Sequence, residues 1–115
     1  MKNKIHCLAL DLKDEEVLID IYEKYHHKIW PEVTESIKAS GIEHMEIYRW
    51  NTRLFMIIEV NDTFSFERKA RMDAENQKVQ EWEELMGQFQ QRLPGELNNE
   101  KWQLMKKIFD LNENG

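Results

Sequence analysis

Apolar and polar residues alternate weakly along Lys4–Leu12, with His6, Leu8 and Leu10 on one face and Ile5, Cys7 and Ala9 on the other. That period of two predicts a first strand. Asp14-Glu15-Glu16 follows, an acidic run suited to the first turn of a helix, where carboxylates offset the positive end of the dipole. The apolar spacing then changes to three and four. Val17, Ile21 and Tyr25 form one row, and Leu18, Tyr22, His26 and Ile29 an adjacent one. Pro31 pushes Trp30 away from helical angles, so this helix should end near Lys28. Pro31 can itself open a second helix, with Glu32 in its first turn and Ser40-Gly41 at its end.

Alternation returns over Ile42–Trp50, and Asn51-Thr52 makes a short turn. Leu54–Val60 is apolar on both faces, which predicts a strand at the centre of a sheet. Asp62 or Thr63 can cap a helix over Phe64–Met72, and Asn76 can cap the next, whose face is Val79, Trp82, Met86 and Phe89. Leu93-Pro94-Gly95 breaks that helix, and a final strand is expected over about Trp102–Leu111. The order is strand, helix pair, strand, strand, helix pair, strand. It predicts an α+β fold: a ferredoxin-like split βαβ unit with one antiparallel sheet and its helices on one face. The other sheet face would be bare. A second copy of the same sheet is the simplest cover for it, so a homodimer is expected.

The 115 residues argue for a single domain over the whole chain, 1–115. The formal net charge of -6 disfavours nucleic acid as a partner, because such binding needs a basic surface. No apolar stretch is long enough to span a membrane, so no membrane partner is expected. The basic start Met1-Lys2-Asn3-Lys4 is followed only by a short apolar run without a small-residue cleavage site, which disfavours a secretory signal. Cys7 is the only cysteine and fits a reducing compartment. A cytoplasmic location is expected.

Candidate chemistry concentrates in Tyr22-Glu23-Lys24-Tyr25-His26-His27-Lys28-Ile29-Trp30-Pro31-Glu32. Tyr22 and His26 are four apart and share one helix face. A phenol, an imidazole and nearby indoles suit the binding of a small polar ring and proton movement on it. A lone helical histidine is more often structural or solvated, so spacing by itself does not make His26 catalytic. Glu23-x-x-His26 also has the spacing of carboxylate-bridged metal sites, but those need a second such motif, and the chain has none. No P-loop, glycine-rich fingerprint or zinc spacing occurs, and no cofactor is expected. Glu81, Glu83 and Glu84 read as the solvated face of a helix.

Tyr22-x-x-x-His26-x-x-Ile29-Trp30-Pro31-Glu32, Gly41, Ile47-Tyr48, Leu54-Phe55, Val60 and Gln80-x-Trp82-x-x-x-Met86 together resemble the L-rhamnose mutarotase family over nearly the whole chain. The resemblance implies a dimeric α+β barrel that interconverts the anomers of a 6-deoxy-L-hexose. It gives His26 the role of proton donor, Tyr22 that of a substrate-binding tyrosine, and Trp82 the place of the first of two adjacent sugar-contacting tryptophans. Two positions depart from the pattern. Met45 stands where the family carries a tyrosine, and Glu83 where it carries the second tryptophan. These changes bring L-fucose forward as a competitor to L-rhamnose.

Mutarotation opens a cyclic hemiacetal and recloses it on the other carbonyl face. It needs one proton donor and one acceptor near neutrality, a role open to His26. Trp30 and Trp82 offer flat surfaces for the C–H face of a sugar, and the base could be a tyrosine, a water or His26 itself. Two rival readings remain at this stage. The same fold class hosts haem-binding monooxygenases, in which His26 would be an axial ligand, and a non-catalytic ligand-binding module would also fit.

Overall fold

The computed structural model describes residues 2–95 and 100–114. The chain runs β1 (Lys4–Leu12), α1 (Glu16–His27), α2 (Pro31–Ala39), β2 (Ile42–Trp50), β3 (Arg53–Val60), α3 (Phe66–Glu75), α4 (Gln77–Gly87), β4 (Gln90–Gln91), β5 (Gln103–Leu104) and α5 (Leu111–Asn114). The sheet order is β2-β3-β1-β4, and β5 pairs with β1 beside β4. Every pairing is antiparallel. The apolar segment 54–60 lies between two long neighbours, as its two apolar faces require.

Register assigns the faces. Leu8 stands opposite Met56 and Leu10 opposite Leu54, while Met45 and Ile47 stand opposite Ile58 and Met56. Directly opposed residues share a face. Leu12 and Leu54 pack with Ile19 and Tyr22 of α1, Val33 of α2 and Trp82 and Met86 of α4, so the main core lies between the sheet and its helices. A second cluster of Leu8, Ile42, Ile58 and Val60 continues it toward the other end of the sheet. Val17 lies outside this packing and is exposed, although it shares a helical row with Ile21 and Tyr25.

Three local outcomes differ from the sequence expectation. The helix expected over Phe64–Met72 begins at Phe66 and is capped by Ser65, whose hydroxyl accepts from Arg68 N at 3.0 Å. Thr63 is already engaged: its backbone N–H and hydroxyl both donate to Asn61 Oδ1, at 2.9 and 2.6 Å. The expected last strand over Trp102–Leu111 is reduced to Gln103–Leu104. Its final ladder bond runs from Met105 N to Cys7 O, and Lys106-Lys107 then break the alternation, so no single apolar face continues. The helix before Leu93-Pro94-Gly95 already ends at Gly87, and the short strand β4 fills the space between.

Gly41 has φ +102°, and a Cβ there would meet Asn61 Oδ1 at 2.8 Å and Phe64 N at 2.9 Å. The turn from α2 into β2 therefore needs glycine for both its angle and its closeness to the loop after β3.

Candidate functional site

Tyr22 and His26 are successive residues on the inner face of α1, and their rings lie 4.4 Å apart. His26 Nδ1 lies 2.9 Å from the Tyr22 carbonyl oxygen. A carbonyl only accepts, so Nδ1 carries the proton and the neutral ring presents Nε2 as an acceptor. Burial pushes the His26 pKa below its ordinary value, against the opposing effect of that carbonyl bond. The neutral form is thereby favoured near pH 7.

The Tyr22 phenol is pushed up to about 12 by burial, with the Glu83 charge adding to the rise and a hydrogen bond from Gln90 opposing it. Tyr22 is therefore a protonated donor at neutral pH. Gln90 Nε2 donates to the phenol oxygen at 3.3 Å, so the phenol hydrogen must point elsewhere. Gln90 reaches this place because β4 pairs it with Leu12.

Trp82 is 5% exposed and stands behind His26, with ring centroids 5.8 Å apart. Trp30 meets Trp82 edge-on at 5.2 Å, and Tyr25 meets it at 6.1 Å. The structure thus gathers Tyr22, His26, Trp30 and Trp82 into one aromatic cluster. Met45 is elsewhere: it packs against Leu8, Ile42, Ile58 and Val60. Glu83 is half-buried and ion-paired with Lys101 at 3.1 Å.

A cleft of about 410 Å³ opens beside this cluster, lined by Tyr22, Glu23, His26, His27, Ile47, Tyr48, Arg49 and Leu54. That volume suits a ligand the size of one sugar ring. A wider groove of about 630 Å³ lies between α2 and the α3–α4 junction, but it gathers surface carboxylates such as Glu32, Glu35 and Glu75 and holds neither ring nor imidazole. The smaller cleft is the one lined by the phenol and the imidazole. Arg49 and Gln90 were not singled out by sequence reasoning, and Glu23 only as half of a metal spacing that was set aside. Arg49 was detectable as a charge in step with Met45 and Ile47 on the inward face of β2. Gln90 had no local signal, since its strand is two residues long. Among the described residues, no three His, Cys, Asp or Glu side chains converge as metal ligands would. No helix among them is long and apolar enough to cross a membrane.

Fold and cleft together define a ferredoxin-like α+β domain that can hold one small polar ring against an imidazole and a phenol. A family model described as L-rhamnose mutarotase matches residues 5–111. The L-fucose mutarotase of Xanthomonas campestris pv. campestris is 41% identical over 109 residues, spanning 93% of this chain and 87% of that protein. The L-rhamnose mutarotase of Bacillus subtilis is 38% identical over 68 residues, 55% of this chain and 62% of that one. Among solved structures, an L-rhamnose mutarotase from Formosa agariphila superposes with a TM-score of 0.69 at 20% identity, covering 94% of this chain and 98% of the other. The chain belongs to the L-rhamnose mutarotase family. It is a sugar mutarotase, an isomerase.

Proposed function

We propose that this mutarotase interconverts the α and β anomers of a 6-deoxy-L-hexose by acid–base catalysis, with L-fucose as the preferred sugar and L-rhamnose as the second. The order of preference is supported by the L-fucose mutarotase relative, which matches 93% of the chain against 55% for the B. subtilis L-rhamnose relative. The observation that carries the mechanism is the bond between His26 Nδ1 and the Tyr22 carbonyl. It leaves Nε2 free to accept a proton, next to a phenol that keeps its own.

In the opening half, His26 Nε2 takes the proton of the anomeric hydroxyl. The carbonyl forms at C1, the bond from C1 to the ring oxygen breaks, and the Tyr22 phenol protonates that oxygen. Rotation about C1–C2 presents the other carbonyl face. In the closing half the tyrosinate recovers its proton as the ring oxygen attacks C1, and the imidazolium returns its proton to the new anomeric oxygen. No net proton is gained or lost. His26 is thus acceptor first and donor second, which includes the donor role implied by the resemblance. Burial of Tyr22 makes its phenol a weak acid but a well-placed one, and such paired help contributes roughly 10²–10⁴-fold in rate.

Trp82 holds the imidazole from behind, and Trp30 meets Trp82 edge-on from beyond the residues that line the cleft. The pair Glu83–Lys101 replaces a stacking ring with charge next to Tyr22, and Met45 supplies apolar shape in the neighbouring cluster. The charge at Glu83 favours a sugar other than the one for which the family is named.

A homodimer is supported by the sheet face turned away from the helices. Ile5, Tyr48 and Trp50 stand there 60%, 53% and 82% exposed. Ile108 and Phe109 of the tail are also exposed. A second copy would cover this apolar surface. The cytoplasmic placement rests on the single cysteine, Cys7.

Polarimetry of freshly dissolved α-L-fucose tests the activity. The rotation should reach equilibrium faster with the protein present. An unchanged relaxation for both L-fucose and L-rhamnose would remove the assignment.

A further inference from the structure

The ion pair between Glu23 and Arg49 is not explained by packing. Arg49 lies opposite Leu54 in the β2–β3 ladder and so faces the helices, where Met45 and Ile47 are apolar. Its Nη1 donates to the Asn51 carbonyl at 2.6 Å, and its Nε donates to the Glu23 carboxylate on α1. Asn51 sits at the hairpin tip with φ 54°, so the anchor belongs to a turn of fixed shape. The side chains of Arg49 and Glu23 are 35% and 46% exposed, and pairs this exposed contribute little to folding. Both line the cleft that holds Tyr22 and His26.

We propose that Glu23 and Arg49 form a clamp for two neighbouring hydroxyls of the sugar and thereby select its configuration at C4. The inference rests on the mutarotase site described above. A guanidinium only donates and a carboxylate only accepts, so side by side they complement two adjacent hydroxyls, each of which does both. The two bonds of Arg49 use Nε and one hydrogen of Nη1, out of five N–H groups, which leaves donors for a ligand.

Position decides which hydroxyls are meant. Glu23 precedes His26 by three residues, and side chains so spaced stand about 5–6 Å apart at Cβ. With the anomeric carbon at His26, the hydroxyls one helical turn away are those on the far side of the ring, at C3 and C4. The C4 hydroxyl is axial in L-fucose and equatorial in L-rhamnose. A clamp held on both sides cannot meet the two directions equally well.

The test compares L-fucose, L-fucose lacking the C4 hydroxyl, and L-rhamnose, with wild type, Arg49→Met and Glu23→Gln. Circular dichroism checks folding of each variant. Wild type should lose roughly ten- to hundred-fold in kcat/KM when the C4 hydroxyl is absent, the range expected for a hydrogen bond to a charged group. Arg49→Met should lose a similar factor on L-fucose, mainly through KM, and should no longer distinguish L-fucose from its C4-deoxy form. Undiminished discrimination in Arg49→Met would overturn the clamp. Saturation-transfer NMR separates this from failure of the mutarotase reading. If wild type accelerates neither sugar, loss of the L-fucose H3 and H4 signals in Arg49→Met still upholds the clamp. Equal signals in both proteins, or none in either, overturn it.

Discussion

Replacing Tyr22 by phenylalanine separates the chemical role of the phenol from its packing role. The ring is 3% exposed and packs against His26 at 4.4 Å and Phe89 at 6.1 Å, and phenylalanine keeps all of that. Among the described residues the hydroxyl has one protein partner, Gln90 Nε2 at 3.3 Å, near the long limit of such bonds. Losing it should cost about 1 kcal/mol of stability, since an ordinary hydrogen bond contributes about 0.5–1.5 kcal/mol. The change also leaves Gln90 Nε2 without this acceptor, beside an Oε1 that has no partner among the described residues, which puts the cost toward the upper end of that range. For a chain of this size, about 1 kcal/mol lowers Tm by about 4 °C. If the phenol supplies the proton to the ring oxygen, the rate should fall by roughly 10²-fold or more. Thermal melting and NMR anomer exchange measure the two effects side by side. A variant that melts a few degrees lower yet exchanges anomers within threefold of wild type would refute the acid role of Tyr22. As a second arm, Gln90→Leu should leave exchange less affected than Tyr22→Phe, because it removes the bond that orients the phenol and not the phenol itself.

Further expectations follow from the same geometry. Anomer exchange should fall as pH drops through the His26 pKa, which burial sets below 6.5, so the acid limb of the pH–rate profile should lie below that of a free imidazole; a limb above 6.5 would contradict it. The sign for stability is the same: the unfolded chain takes up a proton near pH 6.5 while folded His26 resists it, so denaturation midpoints should decline from about pH 6.5 downward, and His26→Gln should flatten that decline. Gly41→Ala should destabilise by about 1–3 kcal/mol, because its φ is +102° and its Cβ would meet Phe64 N at 2.9 Å; urea melts within 0.5 kcal/mol of wild type, on the order of ordinary surface substitutions, would contradict this. Trp50→Glu should turn a dimer into a monomer in sedimentation velocity while circular dichroism stays the same; a monomeric wild type would remove the dimer.

The elements legible in the sequence were those whose pattern is local. β2 was expected at Ile42–Trp50 and is observed there, because alternation, Gly41 before it and Asn51 after it all mark the same boundaries. Leu54–Val60 was placed at the sheet centre from its two apolar faces alone. Of the candidate site, the sequence showed the neighbourhood of Tyr22 and His26 through helical spacing, while Trp82 came only from the family resemblance and is joined to His26 by a tertiary contact. Contributions from the sheet were not legible. Arg49 and Gln90 reach the site through strand register, and Gln90 stands on a strand too short to have a period. The last strand failed for the opposite reason. Its composition is apolar, but Lys106-Lys107 interrupt it, so neither an alternating nor a continuous apolar run extends past Met105.

The most direct test of the central claim is NMR anomer exchange on L-fucose and L-rhamnose at pH 7, with wild type and His26→Ala. The account predicts faster exchange with wild type, L-fucose ahead of L-rhamnose, and a loss of roughly 10²-fold or more in the variant. Full exchange in His26→Ala would contradict it.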